Sequence, residues 1–247
     1  MKTAPIFLIL IPLLLKPDPG PSPSEDDDDV IFAGDFFSLD PDEATLPENW
    51  ETMNFTGIPR TEYRLVEIDG KSVIKAVSDG SSSGLVREMN VDPEEFPVLR
   101  WSWKAENIIK KGDVHTKSGD DYPARIYVMF DYDIKNLSWG MRQRVRALRT
   151  VYGRIPTRAI NYVWDTSAEP GTVAENAYTR LVKMKVVESG TERLGEWITY
   201  ERNIYDDYVE IFGEKPPKIA AVAIMTDSDD TGESAVAYYG NISFHRE

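Results

Sequence analysis

The side chains able to do chemistry in this chain are carboxylates, amides, arginines and aromatic rings. There is no Cys, which removes disulfides, thiolate nucleophiles and Cys metal sites together. His115 and His245 are the two histidines, so a Ser-His-Asp triad or a histidine zinc site would have to be built on them alone. The first grouping with a recognisable purpose is polar and aromatic. In the run RIYVMFD, Arg125, Tyr127 and Asp131 share one side of a strand, opposite Ile126, Val128 and Phe130. Asn161 and Trp164 stand in a second run and Glu201 in a third. An aromatic plane that covers C–H faces, with planar polar groups that each meet two hydroxyls, is what a sugar requires. The competing reading is a solvated sheet face beside core aromatics. Trp164 is the member most open to it, because Ile160 and Tyr162 share its side of the strand.

A second grouping is carboxylates alone. Asp120, Asp121, Asp131 and Glu201 could supply the two acids of glycoside hydrolysis. With 42 Asp and Glu in the chain, availability decides little. Glu67-Ile68-Asp69 begins an E-x-D-x-x-E pattern, but position 72 is Ser, and Asp69-Gly70 reads as a hairpin turn. A lyase could be assembled from Tyr127, Arg125 and Asn161, without any lyase motif. No catalytic residue is assigned. A third grouping suits Ca²⁺: Asp227, Asp229 and Asp230 lead to Gly232. The EF-hand pattern itself fails, because Thr231 and Tyr238 stand where it needs other residues. A fourth is basic. Positions 137–158 hold Arg142, Arg144, Arg146, Arg149, Arg154 and Arg158 with no acid, which suits carboxylate, sulfate or phosphate, or a docking contact with the acidic body.

That segment is an exception in a chain of formal net charge −14. Such a balance excludes nucleic acid as a general partner. At the N-terminus, Lys2 precedes an apolar run from Ala4 to Leu15, too short to span a bilayer and suited to a signal peptide over 1–17. Residues 18–29 are rich in Pro and Asp and read as a disordered linker. The expectation is export to the periplasm or outside the cell, with no stable membrane span.

The elements that must position these residues are short strands. Apolar runs of strand length alternate with turn signals at Leu65–Ile68, Ser72–Val77, Leu99–Trp103, Arg125–Asp131, Ala159–Trp164, Leu181–Val187, Trp197–Glu201, Ile219–Thr226, Ala235–Tyr239 and Ile242–Phe244. Two segments read as helices. Leu137–Tyr152 puts Met141, Val145, Leu148 and Tyr152 on one stripe. Ile204–Phe212 follows Asn203 as N-cap and stops at Gly213. The pattern predicts an all-β domain over 30–247 with one or two short helices, an antiparallel β-sandwich of jelly-roll type.

The ends support that architecture. Phe32-Ala33-Gly34-Asp35-Phe36-Phe37 resembles the opening, and Tyr239-Gly240-Asn241-Ile242-Ser243-Phe244 the closing strand, of jelly-roll (galactose-binding-like) binding modules. The resemblance implies that the first and last strands pair, with a structural Ca²⁺ at Asp35 and near Asn241. The body also resembles an exported bacterial family, domain of unknown function 3047, through Gly57–Arg60, Ser83–Arg87, Gly119–Asp131, Asn161–Trp164, Glu201–Asn203, Tyr205–Tyr208 and Met225–Gly232. That family implies no activity. The leading expectation is a non-catalytic domain that binds a polysaccharide or oligosaccharide. A polysaccharide-acting hydrolase or lyase, and a structural domain of the cell envelope, are the alternatives.

Overall fold

The computed structural model describes residues 29–42, 46–140, 142–143, 145–146 and 158–247. The leader and all of the linker but Asp29 lie outside the described residues, as do Arg144, Arg149 and Arg154 and half of the expected Leu137–Tyr152 helix. Of that helix, residues 139–140, 142–143 and 145–146 are helical, and Val145 packs with Tyr132 and Leu137 in a small cluster of its own.

Alternation sets the strands. In β6 (Val98–Ala105), Leu99, Trp101, Trp103 and Ala105 are buried while the residues between them are half-exposed. The other strands are β1 (Val30–Gly34), β2 (Glu51–Asn54), β3 (Glu62–Ile68), β4 (Lys71–Asp79), β5 (Ser82–Val91), β7 (Arg125–Phe130), β8 (Arg158–Asp165), β9 (Val173–Glu175), β10 (Val182–Ser189), β11 (Ile198–Asn203), β12 (Ile219–Asp227) and β13 (Ser234–His245). Asp69 and Gly70 both take positive φ, 53° and 74°, so β3 and β4 are joined by the tight turn that matches strand twist. Helix α1 (Ile204–Phe212) starts where the Asn203 side chain accepts the amide of Asp206 and ends at Gly213 in the left-handed region.

Among the described residues the strands form two sheets. One runs β11-β6-β13-β4-β3, with β1 also paired to β13; the other runs β2-β5-β12-β7-β8-β10-β9. The first and last strands pair antiparallel, Val30 opposite His245. The two expected strands at Ala235–Tyr239 and Ile242–Phe244 are one strand, β13, with a register shift between Tyr239 and Ile242. One pairing departs from an antiparallel sandwich: β8 and β10 run parallel, and residues 166–181 make the long crossover that a parallel pair needs. The whole is a jelly-roll β-sandwich.

The core lies between the sheets. Ile126, Val128 and Phe130 of β7 and Ile160, Tyr162 and Trp164 of β8 meet Leu99, Trp101 and Trp103 of β6 there. Trp101 lies 5.2 Å from Tyr162 and from Tyr200, centroid to centroid. A second buried layer lies on the far side of the seven-stranded sheet. Tyr127, Met129, Val163, Met184, Ala223 and Met225 pack there against Met53, Val114 and Tyr122. Residues 110–122 fold back over this outer face. Asp165, at the end of β8, holds them by accepting the amide of Val114 at 3.0 Å. Every residue of β7 is therefore buried, so its polar side is not the solvated face that alternation alone suggests.

Candidate functional site

Loops from three parts of the chain meet over the outer face, at the end where β7 begins and β12 finishes. They are residues 119–124, 176–181 and 228–233. Asp121 fastens the first to the third: its Oδ1 accepts the amide of Asp230 and its Oδ2 that of Thr231. Asn176 fastens the second to the first, donating from Nδ2 to Asp120 Oδ2 at 3.2 Å and accepting the amides of Tyr178 and Thr179. Gly119 is required in this arrangement. A Cβ there would stand 2.7 Å from the backbone nitrogen of Asp113 and 2.8 Å from the oxygen of Lys111.

Between these loops is a small pocket with a cavity volume of about 40 Å³ that opens to solvent. Arg125, Tyr127, Met225 and Asp227 form its floor, Asp120, Asp229 and Asp230 its walls, and Phe55 and Tyr178 its half-buried rim. The floor is set by β-sheet register. Arg125 pairs with Met225 across β7 and β12, and Tyr127 pairs with Asn161 across β7 and β8.

Arg125 is 3 % exposed, and its Nη2 contacts Asp227 Oδ2 in a buried ion pair. Its guanidinium carbon lies 5.2 Å from the Tyr122 ring centroid and 5.5 Å from that of Tyr127. Burial works against its charge, but Asp227 together with Tyr127, Asp120 and Tyr122 outweighs it and the guanidinium stays protonated. Its Nε and Nη1, the Tyr127 hydroxyl and Asn161 Oδ1 have no hydrogen-bond partner among the described residues. Tyr127 is 1 % exposed, and burial holds its hydroxyl protonated. Buried polar atoms without partners are rare in folded proteins, and in a pocket they point to a ligand.

The carboxyls of the walls are perturbed in one direction. Burial pushes Asp120 up to about 6, opposed by Arg125 and Tyr122 and reinforced by Asp230 and Asp121. Burial also raises Asp229, with Asp121 and Asp230 adding to it, and raises Asp230 against the hydrogen bond from Tyr178. At the floor, burial raises Asp227 and the Arg125 guanidinium works against it.

The residues singled out in the sequence fall into three groups. Arg125, Tyr127 and Asn161 come together on the outer face. Trp164 does not join them: it is fully buried between the sheets, 6.5 Å from Trp103, and its ring can offer no platform. Glu201 is on the other sheet, bonded to Arg100 at 2.6 Å. Asp131 follows the far end of β7, where its amide donates to the Lys218 carbonyl. Of the expected metal ligands, Asp35 and Asn241 meet each other directly. Asn241 Nδ2 donates to Asp35 Oδ1 at 2.8 Å, and its Oδ1 accepts the amide of Phe37. Asp227 and Asp229 do approach a third acid, Asp121, with oxygens within 4.8 Å of one another. Yet both oxygens of Asp121 accept backbone amides, and Asp227 accepts Arg125 and the Tyr122 amide. Three such donors beside a guanidinium are a poor match to the six to eight oxygens of Ca²⁺. Phe55, Ser82 and Tyr178 carried no signal in the sequence, being loop or strand-end residues remote from the floor.

No helix among the described residues is long and apolar enough to cross a membrane. No curated protein matches the chain. The solved structures similar to it include three sugar-related proteins. The family 11 carbohydrate-binding module of the cellulase Lic26A-Cel5E of Clostridium thermocellum is 11% identical, with 84% of this chain and 92% of that one covered and a TM-score of 0.40. The carbohydrate recognition domain of Emp47p is 10% identical over 90% and 99%, with a TM-score of 0.45. The xyloglucanase domain of NopAA from Sinorhizobium fredii, in complex with cellobiose, is 10% identical over 81% and 94%, with a TM-score of 0.44. Likenesses of this size place no ligand in this chain. Across residues 48–243, β2 to β12 and the pocket floor included, the sequence matches one family model, and the chain belongs to the family it describes, the protein of unknown function DUF3047.

Proposed function

We propose that this is an exported carbohydrate-binding domain that takes a sugar in the pocket on the outer face of the seven-stranded sheet. The observation that carries the reading is the unpartnered Tyr127 hydroxyl at the foot of a pocket walled by Asp120, Asp229 and Asp230 and rimmed by Phe55 and Tyr178. Carboxylates, a phenol and rings in one concave site supply the bidentate acceptors and apolar faces that a pyranose uses. Export rests on the apolar leader at Ala4–Leu15. The test is a glycan array probed with the full chain and with Tyr178→Ala and Asp229→Asn. Retention of a defined glycan by the wild type and its loss in both variants supports the reading; no retained glycan at all overturns it.

One observation favours a second reading. Asp120 is protonated up to a pH of about 6, which suits a general acid beside a second carboxylate. Release of reducing ends from the retained glycan, followed by mass spectrometry and abolished in Asp120→Asn, would make the domain a hydrolase.

A further inference from the structure

The charge of the pocket narrows what it can hold. Four carboxyls line it, Asp120, Asp227, Asp229 and Asp230, with one arginine. Arg125 already contacts Asp227. Asp230 accepts the Tyr178 hydroxyl and lies near Lys117, whose ammonium is 4.6 Å from the Tyr178 ring centroid. Asp120 and Asp229 are left with neutral hydrogen-bond partners. Asn176 serves Asp120, and Ser82 serves Asp229. Arg125 offsets part of the charge of both, and with four carboxyls against one guanidinium the pocket attracts a cation.

We infer that the sugar bound here carries a free, protonated amine. The inference rests on the sugar-binding reading and adds the ligand's charge to it. An ammonium suits the site better than a metal ion does. Its three N–H donors can go to Asp120, Asp229 and the Tyr127 hydroxyl, which is buried, unpartnered and part of the pocket floor. A divalent ion would need the oxygens of Asp121 and Asp227, which the loop amides and Arg125 hold. The apolar rim of Phe55 and Tyr178 is suited to the C–H face of the ring that bears the amine.

Three oligosaccharides with one β-1,4 backbone separate the possibilities, because they differ at a single carbon: glucosamine tetramer (amine), N-acetylglucosamine tetramer (acetamide) and cellotetraose (hydroxyl). Calorimetric titration of the full chain is expected to give at least tenfold tighter binding of the glucosamine tetramer than of the other two. Asp229→Asn should reduce that preference to less than threefold while leaving the melting curve in place. Equal affinity for glucosamine tetramer and cellotetraose overturns the amine and leaves the sugar pocket standing. Failure of all three to bind overturns both. If Ca²⁺ binds to chelator-treated protein, is lost in Asp229→Asn, and the glucosamine preference is absent, the carboxyls belong to a metal and the inference falls.

Discussion

The carboxylate of Asp121 accepts the amide of Thr231 at 2.6 Å, across 110 positions of sequence. With its other oxygen on the Asp230 amide, this one side chain holds two walls of the pocket together. Asp121→Ala leaves two backbone donors without acceptors in a largely buried setting. The expected cost is ~1–3 kcal/mol of stability, read from urea denaturation, with loss of glycan retention. Unchanged retention would mean the loops keep their places without the clasp.

Trp164 and Tyr178 should separate core from site. Trp164→Ala opens a cavity between the sheets and should cost ~3–5 kcal/mol, lowering the denaturation midpoint steeply. Tyr178→Ala removes a half-buried rim residue and should cost under ~1 kcal/mol, while abolishing glycan retention.

Arg125→Met strands Asp227 in the floor of the pocket, and removing one member of a buried ion pair typically costs ~3–5 kcal/mol. Adding Asp227→Asn should recover at least half of that loss, because the amide oxygen can still accept from Tyr122 and no buried charge remains. Chemical denaturation of both variants at pH 7 checks this. A double variant less stable than the single would assign Asp227 a structural role beyond the pair.

Asp120 gives a pH signature. Its folded pKa of about 6 is above the ~3.9 of an unfolded Asp, so the folded state holds this proton more tightly. Its contribution to stability is full below about pH 4 and is lost as pH rises through about 6. Asp120→Asn should then stabilise the protein at pH 7 by up to ~3 kcal/mol and leave it unchanged at pH 4. The groups facing Asp120 are Arg125, Tyr122, Asp230, Asp121 and Asn176, and none of them is altered in that variant. The same ionisation sets binding: affinity for a glucosamine oligomer should fall as pH drops through about 6, and the fall should be smaller in Asp120→Asn.

Much of the frame was legible because side-chain period and strand face go together. The alternation in 125–130 put Ile126, Val128 and Phe130 on the core face, and Ile160 and Tyr162 already drew Trp164 to the same side. The Asp69-Gly70 turn and the 204–212 helix followed from local chemistry, and the pairing of the end strands from the resemblance to jelly-roll modules. Strand β5 was hidden by its composition. It opens on Ser82, Ser83 and Gly84, and position 84 has no room for a side chain, because Met53 lies 2.8 Å from where a Cβ would be. The pocket was hidden for another reason. Arg125 and Tyr127 could be placed on one face, but that face is roofed by residues 110–122, which contribute only a few apolar side chains, Val114 and Tyr122 among them. Asp120, Tyr178 and Asp229 come from separate loops, and only their hydrogen bonds bring them to one place.

The long strand β13 gives the molecule a direction. It begins at Ser234, just past the loop that walls the pocket, and runs to His245, where it pairs with Val30. Twelve residues of strand cover roughly 40 Å at ~3.3 Å each. The chain thus enters and leaves the domain side by side, at the pole opposite the pocket mouth. A support attached before Val30 or beyond Glu247 would hold the domain like a handle and present the mouth outward, leaving it free to sweep for ligand without steric interference from its own mooring.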